Sequence, residues 1–200
     1  MNESTENKPI SKAYDYSVSE IEAELKRLYR RKENGGVLRR VLFGLVTVSA
    51  LSILVAVLFL PVLQTYGNSM TPTLYEGNIV VSLKGAEYEP KDVISLYYNN
   101  NILVKRVIGL PGDWIDIDDD GNVAVNGVVL EEPYVTEKSI GNCDIKLPYQ
   151  VPDGHIFVLG DHRSTSKDSR DSTMGPIPKE KVVGKIVFRI WPLTKVGAVK

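Results

Sequence analysis

A chain of 200 residues with 43% hydrophobic content carries enough apolar side chains for a real core, either as one domain or as a small domain plus an anchor. Its 24 Lys and Arg against 25 Asp and Glu leave a net charge of -1, which argues against a nucleic-acid binder. A single cysteine, Cys143, excludes an internal disulfide and leaves the redox compartment unreadable.

Residues 1 to about 16 are polar and read as loose chain. The stretch "SVSEIEAELKRLYRRKENGG" then has capping-box spacing at Ser17 and Glu20, apolar Ile21, Leu25 and Leu28, and a closing Gly35-Gly36, so a short amphipathic helix is expected. Lys26, Arg27, Arg30, Arg31, Lys32, Arg39 and Arg40 crowd this region. Such a basic face suits anionic lipid, a docking partner or plain solvation.

From Val41 to Leu63 there is no charged residue. As a helix the run spans roughly 34 Å, enough for a hydrocarbon core of about 30 Å. Only Thr47, Ser49 and Ser52 interrupt it, so the polar stripe of a soluble core helix is missing. A cleaved signal peptide fits poorly, because some forty residues precede the run and it exceeds the usual apolar length of such peptides. The expected organisation is a cytoplasmic segment 1–40, one transmembrane helix 41–63, and an extracytoplasmic domain 64–200. Its orientation follows from the basic cluster on the amino side, since residues 64–83 hold no Lys or Arg.

Beyond residue 64 the pattern changes to short β-branched or aromatic runs between Gly, Pro, Asn and Asp: "NIVVSL", "DVISLYY", "ILVKRVIGL", "WIDI", "VAV-NG-VVL" and "KIVFRIW". The outer domain is therefore expected to be mainly β, with a hairpin at Asn126-Gly127. "DIDDDGNVAVNG" imitates the start of a calcium loop through Asp116, Asp118, Asp120 and Gly121. Its twelfth position is Gly127 instead of a bidentate Glu, so a solvated hairpin tip is the better reading. His155, His162 and Cys143 have no metal-ligand spacing. No metal or cofactor is expected.

Two residues stand out for chemistry. Ser69 lies in "YGNSMTPTL", a turn-prone segment directly after the apolar run. In "LVKRVIGLPGD" alternation puts Leu103, Lys105 and Val107 on one face and Val104, Arg106 and Ile108 on the other, so each charge has apolar neighbours. A lysine so placed either snorkels at an edge or is buried neutral for use as a base, and spacing alone leaves both open.

"GNSMTPTL", "KRVIGLPGD" and "GDHRSTSKDSR", in this order behind an anchor, resemble the signature segments of bacterial signal peptidase I, the membrane-bound serine endopeptidases that remove signal peptides. The resemblance runs from Val41 to Pro192 and includes "VNG" and the late "FRIWP". It implies a signal-peptidase-like β-barrel or coiled β-sheet domain behind the anchor. It also implies Ser69 as nucleophile, Lys105 as general base in a Ser/Lys dyad, and Ser166 as the hydroxyl that orients the lysine. Asp161, Asp168 and Arg170 match residues that brace the active-site loop. Substrates would be exported preproteins at the surface of the bilayer, cut after small residues at −1 and −3, and Met70, Leu74 and Val104 are candidate pocket walls.

Three positions depart from the common pattern. His162 and Thr165 stand where asparagine is usual, which bears on loop packing, and both histidines are expected to be structural. Gly67 stands where some members have a serine that completes the oxyanion hole, as in the Gram-positive branch, so the hole would rest on the Ser69 backbone N–H and a substitute donor. Ser69 comes six positions after Leu63, a reach of about 20 Å at most. The nucleophile would thus be tethered at the outer membrane surface, where a preprotein presents its cleavage site. Two other readings remain: a Ser/Lys self-cleaving peptidase of the repressor type, and an anchored β module that binds without catalysis.

Overall fold

The structure, a computed structural model, describes residues 18–199. The polar segment 1–16 and Ser17 of the expected capping box lie outside the described residues. Helix α1 runs Val18–Phe59 without a break. Gly35-Gly36, expected to close a short helix, lies inside it. A glycine costs a helix interior about 1 kcal/mol, and one continuous helix avoids the costly second nucleation. Within α1, Gly36–Phe59 is long and apolar enough to cross a membrane.

The helical run stops short of Leu63. Leu60 N–H still donates to Ala56 O at 2.8 Å. Pro61 then offers no N–H and disfavours the α conformation of the residue before it. Val62 and Leu63, read from sequence as the end of the span, belong to strand β1 (Val62–Gln64).

The remainder is mostly β. Strand β1 pairs with β2 (Ile79–Lys84), and β3 (Val93–Tyr98) forms a hairpin with β4 (Asn101–Gly109). The strands β5 (Trp114–Ile117), β6 (Val123–Val125), β7 (Val128–Val129) and β8 (Tyr149–Gln150) make a separate four-stranded sheet in the order β7-β6-β5-β8. Then follow β9 (His155–Leu159), β10 (Ile177–Pro178), β11 (Val182–Trp191) and β12 (Gly197–Ala198). The larger sheet has the order β1-β2-β11-β3-β4-β9-β10, with β12 added to β11.

The β6–β7 hairpin turns on Asn126 and Gly127, with φ of 52° and 79°. That pair of positive values is what a two-residue hairpin loop demands and what Asn-Gly tolerates. The acidic run forms the tip between β5 and β6, where both Asp118 carboxylate oxygens accept from Asn122, at 2.8 and 2.7 Å.

Strand β9 was not expected from the sequence. It is almost wholly buried, and its two faces serve different cores: Ile156 and Val158 pack with Ile94, Leu96 and Val107, whereas Phe157 and Leu159 pack with Ile108, Ile115 and Val123. A strand buried on both faces loses the alternation that marks a half-buried one. Its neighbour β4 likewise separates two environments, and this forces the side chains of Lys105 and Arg106 into different parts of the interior.

Candidate active site

Ser69 sits in a tight turn just after β1. Thr71 N–H donates to Asn68 O at 3.1 Å and Leu74 N–H to Met70 O at 2.8 Å. Met70 and Leu74 fix the turn from below by packing with Val80, Val93 and Ile186. Ser69 is left half-buried at the surface of that cluster. Its carbonyl oxygen accepts from His162 N–H at 3.1 Å, which ties the turn to the loop after β9.

Lys105 lies on β4 opposite Ile94 of β3. It is 3% exposed, so the open question of edge or interior resolves to interior. Its Nζ donates to Ser166 Oγ at 2.8 Å. Among the described residues it forms no ion pair. Burial disfavours the ammonium form and brings its pKa down to about 8, against a smaller upward pull from Asp168. At a pKa of about 8 a fraction of the amine is neutral near neutral pH.

The loop after β9 is held by buried charges. Arg106 grips Asp161 with both ends of its fork, Nε to Oδ1 at 2.8 Å and Nη2 to Oδ2 at 2.7 Å, and its Nη1 donates to Lys91 O. Thr73 Oγ1 also donates to Asp161, and the guanidinium lies 3.8 Å from the centre of the Tyr134 ring. Arg170 forks onto Asp168 at 2.8 Å on both arms and donates to the Ile140 and Arg163 carbonyls. Asp168 Oδ2 also accepts from Gly160 N–H. A third pair, Arg163 with Glu132, is equally buried. Such pairs are geometric clamps more than sources of stability, because desolvation consumes most of the Coulomb gain. Gly160 is required for space: a Cβ there would lie 2.5 Å from both Ser69 O and Ser166 Cβ.

Two clefts meet at Ser69. One, of about 510 Å³, is lined by Leu63, Met70, Leu74, Leu103 and Val104. The other, of about 820 Å³, is lined by Lys105 and by polar groups that include Asn68, Asn101, His162 and Thr165. The three residues read as pocket walls therefore line one cleft together, although Met70 and Leu74 are also ordinary core. His162, expected to be only structural, faces the same cleft as Ser69 and Lys105, its Nδ1 paired with Thr165 Oγ1 at 2.7 Å.

The family model for signal peptidase, peptidase S26, matches residues 38–191. The chain belongs to that family. Over 154 residues it is 36% identical to signal peptidase I of Bacillus licheniformis, covering 70% of this chain and 81% of that one. Signal peptidase IB of Staphylococcus aureus is 37% identical over 149 residues, covering 64% and 76%. Thylakoidal processing peptidase 1 of Arabidopsis thaliana is 36% identical over 146 residues, or 64% of this chain; the chain spans only 41% of that relative's length. A crystal structure of a signal peptidase I from Enterococcus faecalis aligns at 29% identity with a TM-score of 0.41, covering 50% of this chain and 97% of the other.

Within this S26 chain, the residues singled out in three separated sequence segments come together in space: Ser69, Lys105, Ser166 and the braces Asp161, Asp168 and Arg170. Residues that sequence reasoning missed are Thr73, Glu132, Tyr134 and Arg163. Arg163 lies inside the quoted loop segment, so its charge could have been flagged. Glu132 lies 31 residues away in an irregular segment, where no periodicity announces a buried partner.

Proposed function

We propose that this chain is a membrane-anchored serine endopeptidase that removes signal peptides from exported preproteins, with Ser69 as nucleophile and Lys105 as general base. The observation that carries the reading is the state of Lys105: buried, with a lowered pKa, hydrogen-bonded to Ser166, and lining a cleft with Ser69. A lysine kept this way is costly for folding and useful for proton transfer. The neutral amine takes the Ser69 proton as Oγ attacks the scissile carbonyl, the developing oxyanion meets the Ser69 backbone N–H, and the resulting ammonium protonates the departing amine. Water then attacks the Ser69 ester carbonyl as Lys105 takes one of its protons, and the Oγ–acyl bond breaks as Lys105 returns that proton to Ser69, which frees the acyl group as a carboxylic acid. Small side chains at −1 and −3 suit the apolar cleft, because an extended peptide sends alternate side chains the same way. The test is cleavage of a preprotein by the purified full chain in lipid vesicles: cleavage after a small residue supports the reading, and an equally active Ser69→Ala protein overturns it.

Ser166 acts as a positioning residue, holding the Lys105 amine toward Ser69. Ser166→Ala is expected to lower kcat about ten- to a hundredfold with an unchanged melting temperature. Its pH profile should also shift, because a group touching the amine is lost. Unchanged turnover and profile in the folded variant would remove Ser166 from the site.

The basic cluster before the apolar segment puts the amino terminus inside the cell and the β part outside. Protease added to intact protoplasts should digest the β part and spare the first forty residues. The reverse pattern would contradict the membrane orientation.

A further inference from the structure

The two clefts that meet at Ser69 differ in chemistry, and the difference assigns direction to the substrate. The departing amine must take its proton from Lys105, so the chain leaving the cut lies on the Lys105 side. Lys105 lines the polar cleft and not the apolar one. The residues after the cut, the first of the mature protein, therefore occupy the polar cleft.

That cleft has no carboxylate among its lining residues, which include Lys167, His162 and the amides of Asn68, Asn99 and Asn101. Asp161 and Asp168 lie nearby but are buried and engaged by Arg106 and Arg170. Lys167 is the charged group that remains on the rim, its side chain 56% exposed and 3.5 Å from Asp171, a contact loose enough for the ammonium to reach a second acid. Asp171 does not line the cleft.

Building on the peptidase reading, we propose that the polar cleft is a binding subsite for the first two residues of the mature chain, and that Lys167 on its rim makes it select acidic over basic residues there. A carboxylate in the cleft meets an ammonium and several amide donors, whereas a substrate lysine meets Lys167, whose own partner Asp171 lies outside the cleft lining. At a half-exposed position the effect is modest and screened by salt. Lys167 is a specificity residue and has no part in the proton transfers.

The experiment compares peptides identical up to the cut, carrying Glu, Gln or Lys at both of the next two positions, with the full-length protein in detergent. The ratio of kcat/KM between two peptides on one preparation does not depend on how much of the protein is folded. Wild type is expected to favour Glu over Lys about fivefold, less in high salt. Lys167→Glu should reverse the order, and Lys179→Glu, the same charge change outside the cleft, should not. Equal rates on all three peptides, or an unaltered preference in Lys167→Glu, would overturn the subsite while leaving the peptidase standing. Cleavage of none of the three would overturn both.

Discussion

Lys105→Arg is expected to abolish cleavage, with kcat falling by about four orders of magnitude or more, as when one member of a reacting unit is lost. The substitution keeps the charge and nearly the length of the side chain, so a purely structural lysine would tolerate it better. A guanidinium stays protonated and cannot accept the Ser69 proton. The wild-type pH profile should agree: with a pKa of about 8, the amine is charged at lower pH and incompetent. The rate should therefore rise about tenfold per unit as pH increases toward 8 and level off above it. A flat profile from pH 6 to 9, or an active Lys105→Arg protein, would send the search for a base elsewhere.

Asp161→Ala is expected to produce the largest loss of stability. It leaves Arg106, 1% exposed, without the carboxylate that both its arms grip, and also removes the acceptor of Thr73 Oγ1. Breaking a buried pair by removing one partner costs about 3–5 kcal/mol. For a chain of this size that corresponds to a melting temperature lower by roughly 10 °C. Arg106→Lys attacks the same pair from its other side. The fork on Asp161, the bond to Lys91 O and the face of Tyr134 make it a poor exchange, since a compact ammonium lacks the planar two-armed fork that reaches all three. A melting temperature of Asp161→Ala within 2 °C of wild type would contradict this account.

Where local rules dominate, the sequence was readable. "WIDI" forms β5 with the bounds read from its alternation, and Asn126-Gly127 makes the expected turn, because both depend on a few adjacent residues. β9 escaped notice because burial on both faces erases alternation, and the helix boundary moved because Pro61 acts locally within a run whose hydropathy continues past it. The site was legible in a different way. Alternation placed Lys105 and Arg106 on opposite faces, but whether either was buried depended on β9 and β3, which periodicity could not bring together. The Ser69, Lys105 and Ser166 grouping came from a family resemblance, and the Arg163–Glu132 clamp came from neither source, since pairing between irregular segments leaves no spacing to detect.

The most direct measurement of the Ser/Lys account is the mass and position of the adduct left by a serine-directed acylating inhibitor. With wild type, peptide mapping should find one inhibitor equivalent on Ser69, forming faster as pH rises through about 8, and Lys105→Arg should not acquire it. Acylation at any other residue, or an unmodified Ser69 in an enzyme that the inhibitor has silenced, would contradict the account.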